Sequence, residues 1–493
     1  SYSAFHYSGY GIGQTATRFS PIHIHISQRA QPGMPTWARL QTTRDYTPGT
    51  TDTHGMFMGG TELMSLVTHK GRLYAGIGYW NDVYFGAGSP DPFPGPQILV
   101  KETWNAPWKQ DFATGPNHLR IESLQSVTLT TDKDGAPTSS PVTLLLAGSG
   151  DMGTVPPPRR ATVFIREDDH GHWTPTYPGA TTTGSATTRV IFDHVDRITR
   201  IHNVFAGYGG KTATIARGGY NAATGLIDWC TTAELTGTER ILSAGECNGW
   251  LYACIGSNGL MGDDIGGVFW REDGPAPQWH FVCEWPVVGG KNPDIRGFTA
   301  VPHPKGFDYE VALVTLESFG SVFCIDPIGG DPRNGHVVTE ELSIQTFLGD
   351  EWNDGVSIRY PTLSAYNDMP EVIHPATHKP VNLIGVAVSH PNGRGTPEGD
   401  NAWLLVRHRN GAYEVGQVID PAIPSPNGGL GLRACRALRL SPFSTDGGKV
   451  LFMGGFDAAS QTGPVYHNTA WLYRGRLESA ESPASATRFW ILY

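Results

Sequence analysis

The stretch RILSAGECNGWLYACIGSNG (240–259) decides the fold. Its Asn248-Gly249 pair is a two-residue hairpin signal between two apolar strands. A second hairpin follows in GVFWREDGPAPQWHFVCEW (267–285), with Gly-Pro chemistry at its turn. Four short strands within about 45 residues are typical of one propeller blade.

The same pair of hairpins recurs along the chain. The first hairpin returns, for example, as ELMSLVTHKGRLYAGIGYW (62–80) and RACRALRLSPFSTDGGKVLFMGGFD (433–457), and the second as ATVFIREDDHGHWTPTYP (161–178). These repeats predict an all-β fold, a seven-bladed β-propeller of four-stranded antiparallel blades, as a single domain over 1–493. The predicted blades span about 55–112, 117–177, 185–231, 237–286, 294–345, 356–420 and 431–475. Residues 1–54 and 476–493 are expected to add strands, one of which completes the last blade and closes the ring.

Composition supports this fold and excludes some partners. Gly 62, Pro 37 and only 17% charged residues suit many short strands and tight turns. The net charge of −10 argues against nucleic acid as a partner, and no apolar run approaches the length of a membrane span. We expect a monomer.

The chain begins SYSAFHYSGY without Met, as a mature exported protein would, and we expect a secreted protein. Its six cysteines either form up to three bridges or are buried thiols. His23 and His25 are two residues apart, a spacing that favours an edge strand over a metal site.

Arginine recurs where the first strand of a predicted blade begins. The residues at this position are Glu62, Arg120, Arg197, Arg240, Arg296, Arg359 and Arg433. First strands lie innermost in a propeller, so their starting ends meet at one mouth, where ligands bind. We predict that at least two or three of these arginines reach a bound anion, because a guanidinium matches carboxylate and sulfate. The alternative is that each arginine bonds a carboxylate or carbonyl of the adjacent blade.

Aromatic and histidine side chains near strand ends complete the predicted mouth. Aromatic rings can stack on sugars while hydroxyl and imidazole groups hydrogen-bond them, although packing at a blade end is the alternative for the tyrosines and tryptophan. The predicted substrate-binding residues are His54, Tyr79, Trp80, Arg240, Arg296, Arg359, Tyr360, His390 and Arg433.

Seven blades, a secreted character and a basic mouth with histidine and tyrosine together resemble the propeller polysaccharide lyases. These are the ulvan lyases and the rhamnose–glucuronate lyase that trims gum arabic. The resemblance implies β-elimination of a uronate-containing, acidic glycan: arginine neutralises the uronate, and histidine or tyrosine moves the protons. It implies Arg120 and Arg197 as neutralisers, with His118, His194 or Tyr208 as base and acid.

Two other functions stay open from the sequence. A glycoside hydrolase needs two carboxyl groups across the scissile bond, and the candidates are Asp82, Asp151, Glu317 and Asp457. A lectin-like propeller would repeat its sites around the ring, whereas the unequal loop lengths here favour one asymmetric pocket. No catalytic cofactor is predicted, and a structural calcium or zinc ion stays open.

Overall fold

A computed structural model of the chain describes residues 23–24, 38–79, 95–151, 158–168, 171–180, 186–209, 213–237, 240–255, 267–284, 295–316, 321–343, 360–363, 369–389, 401–417, 435–443, 450–455, 468 and 470–479. In these residues the regular elements are β-strands, with two short 3₁₀ turns at Ile328–Gly330 and Pro332–Asn334. No helix of the described chain is long and apolar enough to cross a membrane.

The strands follow one another in short antiparallel runs. The first sixteen are β1 (His23–Ile24), β2 (Ala38–Tyr46), β3 (Thr50–Thr51), β4 (Phe57–Met58), β5 (Glu62–His69), β6 (Arg72–Gly78), β7 (Gln97–Lys101), β8 (Lys109–Ala113), β9 (Ser123–Thr131), β10 (Pro137–Asp151), β11 (Ala161–Glu167), β12 (His172–Thr176), β13 (Ala186–Val195), β14 (His202–Tyr208), β15 (Ala213–Asn221) and β16 (Leu226–Trp229). The others are β17 (Leu235–Gly237), β18 (Ile241–Cys247), β19 (Trp250–Ile255), β20 (Gly267–Glu272), β21 (Gln278–Glu284), β22 (Ile295–Pro302), β23 (Glu310–Leu316), β24 (Ser321–Pro327), β25 (His336–Ser343), β26 (Tyr360–Leu363), β27 (Glu371–Ile373), β28 (Pro380–Ser389), β29 (Asn401–His408), β30 (Tyr413–Gln417), β31 (Cys435–Leu440), β32 (Leu451–Gly455) and β33 (Trp471–Ser479).

The opening stretch forms the hairpin that its Asn-Gly pair predicts. Strands β18 and β19 pair antiparallel up to Cys247 and Trp250, with Asn248 and Gly249 between them at φ 53° and 69°. Asparagine and glycine tolerate this left-handed conformation, which matches the twist of the strands. Strands β20 and β21 add the second hairpin, so β18 to β21 form one four-stranded sheet.

The other sheets repeat this order. Strands β5 to β8 form a four-stranded sheet, β22 to β25 are joined at the outer edge by β1, and β26 with β28 to β30 take β27 as an extra strand. Strands β9 to β12 and β13 to β17 make a nine-stranded sheet because the end of β10 pairs with the start of β13. Gly150 permits this contact, since a Cβ there would lie 1.9 Å from the Ala186 carbonyl oxygen. The predicted edge strand at His23 is present as β1 beside β25.

The sheets close into a ring. Strand β5 packs on β9, β9 on β13, β13 on β18 and β18 on β22; later β28 packs on β31, and β31 returns to β5. The last sheet runs β2-β33-β32-β31, so an N-terminal strand forms its outer edge. The fold is therefore an all-β propeller of antiparallel strands, as the repeats predict.

Adjacent sheets are joined by a repeated polar contact, which we call the latch. A carboxylate at the outer edge of one sheet pairs with a cation on the third strand of the next sheet. The same carboxylate accepts a hydrogen bond from a ring on, or one residue before, the fourth strand of that sheet. The latches are Asp111 with Arg166 and Trp173, Glu234 with Arg271 and Trp279, Glu341 with Arg407 and Tyr413, and Asp45 with Lys101 and Trp108. Trp229 donates to Thr176 in an uncharged version. The latches connect the outer edges of neighbouring sheets. They also give the buried polar groups of these edges a partner, which apolar packing alone would not provide.

One predicted strand start is wrong. Arg197 does not begin a first strand but lies in the turn between β13 and β14. The Asp196 carboxylate accepts the backbone N–H groups of Ile198 and Thr199 at 3.0 and 2.8 Å, which shapes a turn at DRIT. The first strand of this sheet therefore starts eleven residues earlier, at Ala186.

Five cysteines of the described chain are free thiols, namely Cys230, Cys247, Cys254, Cys324 and Cys435. Cys247, Cys254 and Cys324 are buried, and Cys230 is exposed. Burial raises the pKa of Cys254 to about 12, so this thiol stays protonated and packs as a small apolar group.

Candidate functional site

Charged side chains gather where the first strands begin. We call this set the mouth cluster; it consists of Glu62, Arg120, Glu122, Arg189, Arg240, Arg296 and Arg436. The residues come from six different sheet repeats, and the convergence follows from the inner position of their strands. The mouth is the end of the ring at which these strands start.

Two glutamates hold the cluster together. Arg120 Nη2 lies 2.5 Å from Glu122 Oε1, and its Nη1 lies 3.5 Å from Glu62 Oε2. Arg436 Nη1 approaches Glu62 Oε2 at 2.7 Å, and Arg189 Nη1 approaches Glu122 Oε1 at 3.0 Å. Both glutamates are buried, and arginines are their partners in the cluster.

The arginines of the cluster act on one another. Arg120, Arg189 and Arg436 pair with the two glutamates, and Arg240 and Arg296 lie near enough to Arg189 to shift its pKa. Burial and the charges of Arg240, Arg120 and Arg296 lower the pKa of Arg189 to about 10, against the pull of Glu122. Arg189 Nε is buried and has no hydrogen-bond partner in the described chain. Such a group is suited to an anionic ligand.

Glu122 lies among three of these arginines. Burial alone would raise its pKa, but Arg120, Arg189 and Arg296 outweigh burial and lower it. Glu122 therefore stays ionised and keeps the guanidinium groups side by side.

His118 and Asp151 lie next to the cluster. They face each other in an isolated antiparallel bridge, and both are half-buried. His118 Nδ1 is 3.0 Å from Ser149 Oγ, and that hydroxyl donates to the Arg120 carbonyl oxygen at 2.7 Å. Burial lowers the pKa of His118 despite the Asp151 carboxylate, so the imidazole is neutral near pH 7. Asp151 Oδ2 accepts the Arg160 N–H at 2.8 Å.

The two predicted tyrosines differ in exposure. Tyr208 ends β14 opposite Thr188, one residue from Arg189, and its half-buried hydroxyl lies against Gly179. Burial raises the pKa of Tyr208. Tyr79 is fully buried, which corresponds to the packing alternative.

His194 and Arg197 do not belong to the mouth. Tyr208 pairs at the start of β13, whereas His194 pairs near its end, six residues or about 20 Å away. His194 contacts Glu246 through Nδ1 and lies 2.9 Å from Asp273 through Nε2. Burial opposes its charge, yet these two carboxylates raise the pKa of His194 to about 9. Arg197 packs over the Trp250 ring at 3.9 Å.

His54 also lies elsewhere. It occupies the exposed turn between β3 and β4, where Asp52 Oδ1 accepts its N–H at 2.8 Å. Asp52 Oδ2 accepts from Gln110 of β8, so this turn packs on an outer strand. The backbone of Tyr360 is described in β26. Seven other predicted residues lie outside the described residues, namely Trp80, Asp82, Glu317, Arg359, His390, Arg433 and Asp457.

Four site residues were not identified from the sequence. Glu122 follows Arg120 by two, a spacing that places both on one face of a strand. Arg189 was hidden by the misplaced strand start, and Arg436 lies three residues after the chosen Arg433. Ser149 carried no sequence signal, since its importance comes from a cross-strand contact.

A separate group, His374, His408 and Glu414, has side chains of the types that bind metals. Its ligand atoms lie within 4.8 Å of one another. However, His374 Nδ1 accepts the backbone N–H groups of Ala376 and Thr377, both at 3.2 Å, which leaves the ring proton on Nε2. Nε2, the nitrogen that faces Glu414, is then protonated and cannot bind a metal. Glu414 Oε1 lies 3.3 Å from His374 Nε2 and 2.6 Å from His408 Nε2, so the carboxylate lies between the two imidazoles.

Comparisons with known proteins give a coarse structural likeness. No protein-family model matches the chain, and no curated protein matches it. An α-L-arabinanase of Penicillium chrysogenum, solved with arabinobiose, is 13% identical, with a TM-score of 0.39 over 90% of this chain and 99% of that one. An α-L-arabinofuranosidase of Fusarium graminearum is 12% identical, with a TM-score of 0.38 over 90% and 98%.

A third similar structure is Saccharomyces cerevisiae Sqt1, at 10% identity and a TM-score of 0.40 over 87% of this chain and 99% of that one. All three TM-scores are below 0.5, so the fold assignment rests on the strand topology.

Proposed function

We propose that the protein is a carbohydrate-active enzyme, a glycoside hydrolase that binds an acidic sugar of its glycan at the mouth cluster. The observation that supports this proposal is the cluster itself: Arg120, Arg189 and Arg436 pair with two buried glutamates at the mouth of the ring, and Arg240 and Arg296 lie near Arg189. A sugar carboxylate would receive charge-assisted hydrogen bonds from guanidinium groups there.

Hydrolysis fits the arrangement better than the elimination implied by the resemblance to lyases. Elimination was assigned to five residues, and two of them, His194 and Arg197, lie at the opposite end of the strands. Hydrolysis requires a carboxyl pair across the bond. Asp151 is a half-buried carboxylate at the mouth, opposite His118 and beside the start of β13.

The roles of the carboxylates follow from their surroundings. Glu62 and Glu122 are engaged by arginines, so we assign them to arranging the guanidinium groups. Asp151 is assigned to the reaction, together with one of Asp82, Glu317 and Asp457. The sugar carboxylate is assigned to Arg189, whose Nε has hydrogen-bonding capacity left.

The test is a panel of polygalacturonate, glucuronan, alginate and hyaluronan with two readouts. Reducing ends that appear without ultraviolet absorbance of an unsaturated uronate would support hydrolysis, and Asp151→Asn should then lose at least a hundredfold in kcat. Reducing ends that appear with that absorbance would overturn hydrolysis in favour of elimination. Binding of a polymer without cleavage would leave a lectin.

Elimination is the second candidate because one observation favours it. His118 is neutral, carries an unprotonated nitrogen and lies beside arginines, which suits removal of a proton next to a neutralised carboxylate. Arg120 and Tyr208 would complete that site.

Two features of the whole protein are also proposals. We infer seven blades, with the nine-stranded sheet counted as two, because each of its halves has its own inner hairpin and outer strands. Secretion and a monomeric state rest on the sequence.

A further inference from the structure

Ser149 and His118 form a hydrogen-bonded pair beside the mouth cluster. We propose that Ser149 is a positioning residue that fixes the tautomer of His118, so that His118 Nε2 accepts the proton in the cleavage step. This inference rests on the proposed function and adds the base of that site. Neither residue needs a metal or cofactor for this role.

The donor directions follow from the contacts. The Arg120 carbonyl oxygen can only accept, so the single Ser149 hydroxyl proton points to it across 2.7 Å. The Ser149 oxygen must then accept from His118, whose Nδ1 lies 3.0 Å away. A neutral His118 therefore carries its proton on Nδ1, and Nε2 keeps its lone pair.

The surroundings of His118 leave Nε2 able to act. Ser149 is fully buried and rigidly placed on β10, whereas His118 keeps partial exposure. His118 Nε2 makes no hydrogen bond to a described residue, so its lone pair is not engaged within the described chain. The groups that face the ring are the Asp151 carboxylate, the Phe164 ring at 5.4 Å and the adjacent Arg120. Burial outweighs Asp151 and keeps the base form populated below the ordinary histidine pKa.

The chemistry is that of a general base. In hydrolysis, Asp151, which lies opposite His118, holds the attacking water, and Nε2 takes a proton from that water while the water oxygen bonds to the anomeric carbon and the glycosidic carbon–oxygen bond breaks. The leaving oxygen takes a proton from the second carboxyl group of the proposed pair. The imidazolium then releases its proton to solvent, the carboxylate regains one, and the net reaction consumes one water.

The tautomer can be measured without any substrate. Nitrogen-15 spectra of histidine-labelled protein at pH 7.5, with His118 assigned through His118→Gln, distinguish a protonated Nδ1 from a protonated Nε2. We expect the proton on Nδ1 in the wild type and a shift towards Nε2 in Ser149→Ala. A wild-type His118 protonated on Nε2 would overturn the proposal.

The role of His118 as the base is tested by steady-state kinetics on whichever polymer of the panel the protein cleaves. We expect kcat of Ser149→Ala to fall about tenfold with KM nearly unchanged. The reason is that the substitution no longer fixes the tautomer of His118 but leaves the substrate-binding residues in place. Ser149→Thr keeps the hydroxyl and should recover most of kcat. The matched control is Ser243→Ala, which removes another fully buried hydroxyl bonded to a carbonyl, that of Ile295 at 3.2 Å.

The outcomes separate this inference from the proposed function. Equal kcat values and equal acidic limbs of the pH profile in wild type and Ser149→Ala would contradict the positioning role. If Ser149→Ala fails to fold, the wild-type tautomer and Ser149→Thr still decide. If no polymer is cleaved, the proposed function fails, whereas the wild-type tautomer is decided by the spectra alone.

Discussion

At the scale of single residues, the arginine that the third sheet repeat contributes to the mouth cluster is Arg189 and not the predicted Arg197. The Asp196 side chain forms a turn at Arg197, so the first strand of this repeat begins earlier in the chain. Arg120 lies just before β9, where its partner Glu122 follows two residues later. The sequence did not reveal that the Asp196 side chain would accept the N–H groups of Ile198 and Thr199 and so form a turn at Arg197.

The different positions of Arg189 and Arg197 predict that the same substitution has different effects at the two residues. Arg189→Gln should weaken binding of the cleaved polymer about 10- to 100-fold, the range expected for one charge-assisted hydrogen bond. Arg197→Gln should leave binding within twofold, because Arg197 stacks on Trp250 at the far end of the strands. Titration calorimetry of both variants checks this, and the reverse order of effects would refute the placement.

His194 predicts a pH-dependent stability. Its pKa of about 9 exceeds the ordinary histidine value of about 6.5, so its stabilisation is complete below pH 6.5 and is lost as the pH rises towards 9. The stability difference between wild type and His194→Gln should therefore shrink by about 3 kcal/mol between pH 6 and 9.5. Urea unfolding at both pH values measures it, and a constant difference would contradict the raised pKa.

At the scale of strands and sheets, the latches explain why acids and aromatic residues recur in the outer strands. The sequence predicted the strands from their turns and alternation, but it did not show the latches, since each joins residues of two repeats. Arg407 is fully buried and its Nη2 lies 2.9 Å from Glu341 Oε2. This pair is one of the connections between neighbouring sheets.

Removal of a latch carboxylate should be costly. Glu341→Ala leaves the Arg407 charge buried and should lower the free energy of unfolding by about 3–5 kcal/mol. The control is Glu371→Ala, whose ion pair with Arg409 at 3.4 Å is exposed and should cost at most about 1 kcal/mol. Denaturant unfolding of both variants provides the comparison, and equal losses would show that the latches are not stabilising.

At the scale of the whole molecule, the ring is completed by an N-terminal strand. Strand β2 pairs along β33, and Asp45 near its end contacts Lys101 and Trp108 of the next sheet. The repeats of the sequence predicted a closed ring, because an open sheet edge would otherwise be exposed. They could not identify which strand closes it, since β2 belongs to no repeated hairpin.

Asp45→Ala should weaken the ring at this junction first. Lys101 and Trp108 lose their shared acceptor, so amide hydrogen exchange should accelerate in β2 and β33 while β18 to β21 stay protected. Hydrogen exchange followed by mass spectrometry resolves these strands. Equal acceleration throughout the described strands would contradict a local closure.

The central claim is that the mouth cluster selects a glycan by its negative charge. The most direct measurement compares the cleavage rate of the uronate polymer chosen by the panel with that of the same polymer after chemical reduction of its carboxylates to alcohols. The two polymers share linkage and length and differ in charge alone. We predict that reduction lowers kcat/KM at least a hundredfold, because the arginines lose their counter-charge. Equal cleavage of both polymers would contradict the claim.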